Sequence, residues 1–162
     1  MPLDRRQALA LSVGGILAGL FGARAAAAAG TFEVTRSDAE WRAALGPDRY
    51  AVLRKEATER AHSSPLNAEK RAGVFHCAGC DQALYASADK YDSGTGWPSF
   101  TRSVSAAAVG RREDRTLGLF PRTELHCSRC GGHLGHVFDD GPAPTGERHC
   151  INGLALEFKP AA

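Results

Sequence analysis

The chain has 162 residues, of which 43% are hydrophobic and 23% are charged, a size and composition typical of one globular domain rather than of a disordered or fibrous protein. The first 29 residues hold three arginines and one aspartate, and the rest of the chain has 17 basic and 17 acidic residues, so the formal charge of +2 belongs to the N-terminus. A neutral body without a basic tract gives no reason to expect a nucleic acid or an anionic membrane surface as a partner.

The first 29 residues have the three parts of an export signal. The pair Arg5-Arg6 precedes an apolar stretch at residues 8–21, and an alanine-rich segment follows at residues 25–29. A charged start, a short apolar core and small residues before a cleavage point are typical of a secretory signal peptide. The apolar stretch is short and contains several glycines, which disfavours the alternative of an uncleaved membrane anchor.

The arginine pair favours twin-arginine export over the ordinary secretory route, which remains an alternative. We therefore predict a signal peptide over residues 1–29 and a mature domain over residues 30–162. The predicted location is the bacterial periplasm, and the signal is the only part expected to meet a membrane. Twin-arginine export moves folded protein, so a metal ion could be bound before the chain enters an oxidising compartment.

Two short helices are predicted next. Ser37 followed by Glu40 is a capping-box pattern at the start of the first helix. Apolar residues then recur at helical spacing, at Trp41, Ala44 and Leu45, until Gly46-Pro47 ends the helix. A second helix starts at Asp48, and its apolar side consists of Tyr50, Val52, Leu53 and Ala57.

From Gly73 onward the chain consists of short β runs broken by glycine and proline. The candidate strands are residues 74–76, 83–85, 103–105, 115–120, 124–126, 134–138 and 154–158. Residues 141–146 are a loop by composition. The pattern predicts a mainly β fold in which short N-terminal helices pack on an antiparallel core.

Four of the five cysteines form two Cys-x-x-Cys pairs, Cys77 with Cys80 and Cys127 with Cys130. Four thiolates complete the tetrahedral ligand set of a structural zinc ion. The 46 residues between the pairs must then form sheet that brings the two pairs together. Two disulfides are the alternative in an exported protein, but strained Cys-x-x-Cys disulfides are usually redox-active rather than simple crosslinks. One zinc ion is therefore the predicted cofactor.

The fifth cysteine, Cys150, remains outside these pairs, with histidines upstream at His133 and His136 and an arginine at Arg148. If the histidines reach the thiol, an imidazolium would favour the thiolate and deliver a proton. Asn152 would face the same side as Cys150 in an extended segment. The pattern favours a cysteine used for chemistry.

Trp97 lies in a turn-like run of glycines, serines and a proline at residues 93–100. One interpretation is a buried core tryptophan. The other is a rigid aromatic wall on an exposed turn. The residue alone does not decide between them.

Six motifs occur in order along the chain: Cys77-x-x-Cys80, the run KYDSGTGWPSF at residues 90–100, Arg122-Thr123-Glu124, Cys127-x-x-Cys130, the run HLGHVFDDGP at residues 133–142, and Arg148-x-Cys150-Ile151-Asn152. Together they resemble the motifs of the B-type peptide-methionine (R)-S-oxide reductases. The resemblance spans roughly residues 37–159. It implies two antiparallel sheets in a β-tent-like arrangement, with one structural Zn²⁺ ion held by the four paired cysteines away from the active site.

The same resemblance implies the catalytic residues. Cys150 would attack the sulfur of the R epimer of methionine sulfoxide, giving methionine and a sulfenic acid on Cys150. His136 would donate a proton to the sulfoxide oxygen, and His133 and Asn152 would help to place it. Protonation makes the oxygen a leaving group, and a thiolate is a natural nucleophile for sulfur.

The resemblance also implies a substrate-binding set of Trp97, Phe138 and Arg148, in which Trp97 packs against the terminal methyl group of the substrate. An apolar wall that contacts a methyl group explains the choice of one epimer, because methyl and oxygen cannot exchange places in the pocket. The expected substrates are oxidised proteins or peptides. We expect the protein to be a monomer.

The chain departs from the family pattern at two informative positions. Two-cysteine members have a resolving cysteine where Thr95 stands, and this chain has no sixth cysteine. The sulfenic acid is therefore expected to react with an external thiol, from a thioredoxin-like or glutaredoxin-like protein or a small molecule. His149 replaces the usual tyrosine or phenylalanine. One interpretation is that it adds positive potential at the thiol, and the favoured one is that it faces away from Cys150, since neighbours in an extended segment face opposite sides.

Two other functions remain open at this stage. A zinc-knuckle binding module without catalysis gives no reason for a spare thiol beside histidines. A Cys-His hydrolase or transferase shares the nucleophile but needs an oxyanion hole, and the Gly96-Trp97-Pro98 turn does not specify one.

Overall fold

A computed structural model describes residues 32–115 and 121–162 of the chain. The predicted signal peptide lies outside these ranges. So does nearly all of the strand predicted at residues 115–120, and Arg115, its one described residue, is not in a strand. Among the described residues, no helix is both long and apolar enough to cross a membrane.

One helical region, α1, covers Asp38–Lys55. The capping box is present: the Ser37 side chain accepts a hydrogen bond from the Glu40 backbone N–H, and the Glu40 side chain accepts one from the Ser37 backbone. Gly46 has a non-helical conformation with φ of 69°, which divides the region where the sequence predicts one helix to end and another to begin. The buried residues are Trp41, Leu45, Tyr50, Val52 and Leu53.

Within the described part of the chain, nine strands follow the helix. They are β1 (Gly73–Cys77), β2 (Ala83–Ala86), β3 (Lys90–Tyr91), β4 (Ser99–Phe100), β5 (Val109–Asp114), β6 (Arg122–Cys127), β7 (His133–Phe138), β8 (Arg148–Ile151) and β9 (Leu156–Pro160). Short 3-10 helices cover Pro65–Ala68, Ser87–Asp89 and Gly153–Ala155. The strands form a three-stranded sheet in the order β2-β1-β9 and a six-stranded sheet in the order β3-β4-β8-β7-β6-β5. All neighbours are antiparallel, so the predicted mainly β fold with two antiparallel sheets is confirmed.

Two strand predictions are wrong. Residues 103–105 lie outside any strand, with bends at Val104 and Ser105, because a short serine-rich alternation is too weak a pattern to distinguish a strand from a loop. The strand predicted at residues 154–158 starts too early, since Leu154 and Ala155 belong to the 3-10 helix Gly153–Ala155. Strand β5, which the sequence did not predict, forms one edge of the larger sheet.

An apolar core includes inward-facing residues of both sheets. The rings of Tyr85 and Phe100 are stacked with centroids 4.4 Å apart, and the rings of Phe75 and Phe100 meet edge to face at 5.0 Å. All three side chains are fully buried, and aromatic burial of this kind dominates the energetics of a small core. Phe100 lies in β4, beside the strand that contains Cys150, so the core supports the site directly.

Each Cys-x-x-Cys pair lies at the turn of a hairpin, one in each sheet. The turns have matching hydrogen bonds: Asp81 N–H donates to Cys77 O and Gly131 N–H donates to Cys127 O, both at 2.8 Å. Asp81 and Gly131 are also left-handed, with φ of 64° and 68°. The same local turn is thus used twice, and the two copies bring sulfur atoms from both sheets together.

Candidate active site

The sulfur atoms of Cys77, Cys80, Cys127 and Cys130 all lie within 4.8 Å of one another. The Sγ atoms of Cys77 and Cys130 are 3.7 Å apart, and those of Cys80 and Cys127 are 3.5 Å apart. A tetrahedron with metal–sulfur bonds of about 2.3 Å places its sulfurs about 3.8 Å apart. The spacing fits a metal ion. It is too long for a disulfide bond of about 2.05 Å, and all five cysteines are free.

The sulfurs of this four-cysteine cluster influence one another's ionisation. Hydrogen bonding with Cys127 raises the pKa of Cys77 and lowers the pKa of Cys80. Thiols this close share their protons, because four adjacent negative charges repel one another. A bound divalent cation would remove that repulsion and favour four thiolates.

A separate small cavity contains the fifth cysteine. Its volume is about 170 Å³, and its lining consists of Thr58, Trp97, Arg122, Gly135, His136, Phe138, Cys150 and Asn152. Pockets for drug-sized ligands are usually larger than about 300 Å³. The cavity therefore suits one side chain that enters from outside better than a whole small molecule.

Cys150 lies in the middle of β8, paired with Ser99 of β4 on one side and with His136 of β7 on the other. Burial raises the pKa of the Cys150 thiol, and the nearby Arg148 guanidinium and Thr95 hydroxyl only partly oppose that rise. The sequence led us to expect a thiolate favoured by cationic neighbours. Burial outweighs those neighbours, so the resting group is a thiol at neutral pH.

His136 is the histidine that reaches the cavity. Its Nε2 atom is 2.8 Å from Oδ2 of Asp114, and the same carboxylate oxygen accepts a hydrogen bond from Arg122 at 2.6 Å. Burial lowers the pKa of His136 more than the Asp114 carboxylate raises it. The ring is therefore neutral at rest: Nε2 donates its hydrogen to Asp114, and Nδ1 has the lone pair.

His133 lies behind His136 rather than in the cavity. The ring centroids are 5.5 Å apart, and Nδ1 of His133 is 2.7 Å from Oε1 of Glu124. Both His133 and Glu124 are buried. Although burial acts to raise it, hydrogen bonds with His133 and Arg112 bring the pKa of Glu124 below its ordinary value. The buried carboxylate fixes the orientation of His133, as a partner carboxylate commonly does for a functional imidazole.

Trp97 is part-buried at the cavity, so neither alternative from the sequence is fully right: it is held by the fold and also lines the site. Its indole Nε1 donates to the backbone oxygen of Glu59 at 3.1 Å. The Glu59 N–H donates to Oδ1 of Asn152 at 3.0 Å, and the Glu59 carboxylate accepts from the N–H groups of Gly153 and Leu154 at 2.6 and 2.9 Å. Glu59 thus joins the two sides of the cavity.

Asn152 lines the cavity, but most of its amide is already bonded. Besides the bond to Glu59, Nδ2 donates to Leu134 O at 3.0 Å. An asparagine amide has two donor hydrogens, which leaves one Nδ2 hydrogen for a substrate. Gly135 lies on β7, next to the strand β8 that contains Cys150. It has no room for a side chain, because a Cβ atom there would collide with the backbone oxygen of Cys150.

Arg148 holds the other edge of the site. Its guanidinium bonds both carboxylate oxygens of Asp140, at 2.8 and 2.9 Å, and lies over the Phe138 ring at 4.3 Å from the ring centre. Phe138 lines the cavity, whereas Arg148 is not among the described residues that line it. The positive charge of Arg148 and its hydrogen bonding act to lower the pKa of the Cys150 thiol, against the larger effect of burial.

His149, beside the fifth cysteine in sequence, is buried against the smaller sheet. Its Nδ1 atom is 3.1 Å from the Tyr85 hydroxyl and its Nε2 atom 3.1 Å from Glu147. It is not among the described residues that line the cavity of Cys150. Its placement agrees with the expected strand alternation.

Sequence reasoning missed Glu59 and Asp114. Glu59 stands in Thr58-Glu59-Arg60, which resembles part of the family's N-terminal segment, but no local pattern there indicates a buried carboxylate. Asp114 reaches His136 only because β5 and β7 flank the same strand. The sequence does single out Glu124, which is the last residue of the motif Arg122-Thr123-Glu124. Nothing in that motif indicates that His133 is its hydrogen-bond partner.

A family model, the SelR domain, matches residues 45–160, more than half of the chain. The chain is 48% identical over 128 residues to a peptide methionine sulfoxide reductase MsrB from Agrobacterium fabrum, a match that covers 79% of this chain and 94% of that protein. It is 49% identical over 132 residues to a protein of the same name from Leifsonia xyli, covering 81% and 94%. A third, from Methanosarcina barkeri, is 52% identical over 126 residues, covering 78% and 88%.

Proposed function

Since the chain belongs to the MsrB family of peptide methionine sulfoxide reductases, we propose that it reduces the R epimer of methionine sulfoxide in oxidised proteins, with Cys150 as the nucleophile. The observation that supports this most is the small cavity in which a thiol, an imidazole and an indole meet. Its size admits one oxidised side chain. The chemistry of its lining matches a reaction at sulfur.

The reaction forms one sulfur–oxygen bond and breaks another. Sγ of Cys150 attacks the sulfoxide sulfur, the oxygen is transferred to Sγ, and the products are methionine and a sulfenic acid. The thiol hydrogen ends on the transferred oxygen, so no outside proton is consumed in this step. The enzyme sulfur is oxidised by two electrons as the substrate sulfur is reduced by two.

His136 supplies the path for that proton. A neutral imidazole beside a protonated thiol acts first as a base, taking the hydrogen from Cys150, and then as an acid, giving it to the sulfoxide oxygen. The hydrogen bond from Nε2 to Asp114 stabilises the imidazolium that forms between these steps. His133, held by Glu124, supports the His136 ring from behind.

Trp97 and Phe138 form the apolar part of the cavity and would receive the methyl group of the substrate. The remaining Nδ2 hydrogen of Asn152 would donate to the sulfoxide oxygen. A methyl-binding face opposite a proton-donating face accepts one configuration at sulfur and rejects the other.

The sulfenic acid is cleared by an external thiol. One thiol displaces water to form a mixed disulfide with Cys150, and a second releases the enzyme thiol and leaves with the disulfide. A thioredoxin-like or glutaredoxin-like protein or a small dithiol suits this role. Thr95 lies beside Cys150, where two-cysteine members have their second thiol.

The four-cysteine cluster would hold one Zn²⁺ ion. Four sulfur donors at tetrahedral spacing are the set that zinc favours in structural sites, and the ion would link the hairpin turns of the two sheets without touching substrate. We further propose that the domain is exported to a bacterial periplasm by the signal over residues 1–29 and acts there as a monomer. The arginine pair and the alanine-rich segment support export.

The test is a turnover assay on purified protein with dithiothreitol and the separate R and S epimers of a methionine sulfoxide peptide. We expect methionine from the R epimer and none from the S epimer. Consumption of S alone would overturn the assignment of stereochemistry, and consumption of neither would overturn the proposed reaction.

A further inference from the structure

A chain of hydroxyl groups leads from Cys150 into the protein. The Thr95 hydroxyl is close enough to Cys150 to lower the pKa of the thiol by hydrogen bonding, and it is 2.8 Å from the hydroxyl of Ser93. Ser93 is 2.8 Å from the hydroxyl of Ser99, which donates to the backbone oxygen of Trp97 at 3.1 Å. Ser99 is fully buried and pairs with Cys150 across the sheet, so both ends of the chain are fixed to the same pair of strands.

The direction of each hydrogen bond follows from counting hydrogens. A hydroxyl has one hydrogen to donate. Ser99 gives its hydrogen to a carbonyl, so Ser93 must donate to Ser99, and Thr95 must donate to Ser93. Thr95 then has no hydrogen left for the sulfur and can only accept one from the thiol. In the resting state every hydrogen points away from Cys150, toward the Trp97 oxygen.

We propose that Thr95 is a further catalytic residue, whose hydroxyl turns to donate to Sγ when Cys150 becomes a thiolate, and that Ser93 and Ser99 make this reversal possible. In the reversed chain Ser99 donates to Ser93, Ser93 donates to Thr95 and Thr95 donates to sulfur. The two hydroxyl–hydroxyl bonds are kept, and only the bond to the Trp97 oxygen is given up. In exchange, a buried negative charge gains a donor.

The energetic reason is the burial of Cys150. A thiolate in a site of low polarity is costly unless hydrogen bonds reach it, and hydrogen bonds to a charged group are about twice as strong as neutral ones. Hydroxyls that donate in series polarise one another, which strengthens the terminal bond. Thr95 therefore offsets part of the penalty that burial imposes on the reactive state.

This inference rests on the proposed function only for its effect on turnover, so its test uses alkylation of Cys150, which requires no reductase activity. The rate of modification by iodoacetamide is measured against pH, with the full metal-loaded protein, for the wild type and for Thr95→Val. We expect the midpoint to rise by about one pH unit in Thr95→Val, a tenfold loss of thiolate below the midpoint. Thr95→Ser, which retains the hydroxyl, should keep the wild-type midpoint.

Ser103→Ala is the matched control. Its hydroxyl is exposed and bonds only the backbone of Ser105 among the described residues, so the midpoint should not move. Metal content and thermal unfolding verify that each variant is folded. An unchanged midpoint in folded Thr95→Val would overturn the role of Thr95, whatever the outcome of the turnover assay.

The role of the chain behind Thr95 is tested by a double-mutant cycle. Ser93→Ala should shift the midpoint in the wild-type background and leave it unchanged in the Thr95→Val background, because Ser93 reaches the sulfur only through Thr95. A shift of equal size in both backgrounds, or none in either, would show that the hydroxyls do not act as one chain.

Discussion

The protein uses the same side chain in two different regions, the four-cysteine cluster and the cavity of Cys150. In the cluster, local turns do most of the positioning, because each pair of sulfurs lies within one hairpin turn and the two turns have matching hydrogen bonds. In the cavity, the partners of Cys150 come from β4, β7 and the segment before β1. The geometry of the four-cysteine cluster thus depends mainly on local turns, and that of the cavity of Cys150 depends on the order of strands in the sheet.

The two regions also differ in how they treat charge. The cluster brings four sulfurs within 4.8 Å, an arrangement that favours ionisation only with a cation among them. Around Cys150, burial keeps one sulfur protonated until a reaction requires otherwise. The cysteine sulfur is the same chemical group in both regions. It is inert in the cluster and reactive in the cavity because its surroundings differ.

The largest expected effect comes from removing the lone sulfur. Cys150→Ser should abolish turnover, since a hydroxyl is a far weaker nucleophile for sulfur than a thiolate. The metal content should stay at that of the wild type. Activity is followed by release of methionine, and metal by elemental analysis of the same sample. Loss of metal in this variant would mean that Cys150 belongs with the other four.

Removing a sulfur from the cluster should have the opposite pattern. Cys127→Ser should lose most of its metal and unfold at a temperature lower by roughly 10 °C or more, because metal binding contributes several kcal/mol to folding. Scanning calorimetry measures the change. A variant that loses metal with no change in unfolding temperature would show that the cluster does not stabilise the fold.

Within the cavity, His136→Gln should lower kcat by about 10²- to 10⁴-fold, the range expected for loss of a general acid–base group. Alkylation of Cys150 should still proceed, since the thiol itself remains. The two assays on one preparation separate proton transfer from nucleophile access. Equal losses in both would assign His136 to the placement of Cys150 instead.

A smaller effect is expected behind the cavity. Glu124→Gln keeps the shape but removes the charge that orients His133, so kcat should fall by roughly tenfold and stability by about 1–3 kcal/mol. Glu113→Gln is the matched control, because Glu113 lies on neighbouring β5 with an exposed side chain. Its kcat should remain within twofold of the wild type. Urea unfolding and steady-state kinetics provide both readouts.

The smallest effect concerns pH. Burial lowers the pKa of His149, so the unfolded chain takes up a proton more readily than the folded one, and stability should fall as pH drops below the ordinary histidine value of about 6.5. The pKa of its partner Glu147, lowered to about 2 by hydrogen bonds from Arg111, affects stability only below about pH 4.3. His149→Phe should lose less stability than the wild type between pH 7.5 and 5.5, measured by urea unfolding.

The sequence predicts the features that depend on near neighbours. The spacing of Cys77 with Cys80 indicates a shared metal ion because both sulfurs lie in one turn. Ser37 and Glu40 indicate a helix start for the same reason. The resemblance of six ordered motifs added the two sheets and the nucleophile, and the comparisons confirm the family.

What the sequence could not supply depends on distant partners. Strands β3 and β4 have two residues each, too few for any alternation to be visible. The contact of Asp114 with His136 requires the order of β5, β6 and β7. Cationic residues near Cys150 in sequence favour its thiolate, whereas burial, which no local pattern reveals, raises the pKa of the thiol.

The placement of the four paired cysteines in two hairpins that both precede Cys150 in the chain also bears on biosynthesis. A chain made from its N-terminus presents Cys77 and Cys80 first and completes the set of four at Cys130, 20 residues before Cys150 is added. A metal ion can therefore be captured while the reactive sulfur has not yet emerged from the ribosome. A nascent chain that binds metal in this order never has five free thiols exposed at once. The four cluster cysteines are then already bound when Cys150 emerges, so they cannot form disulfides with it.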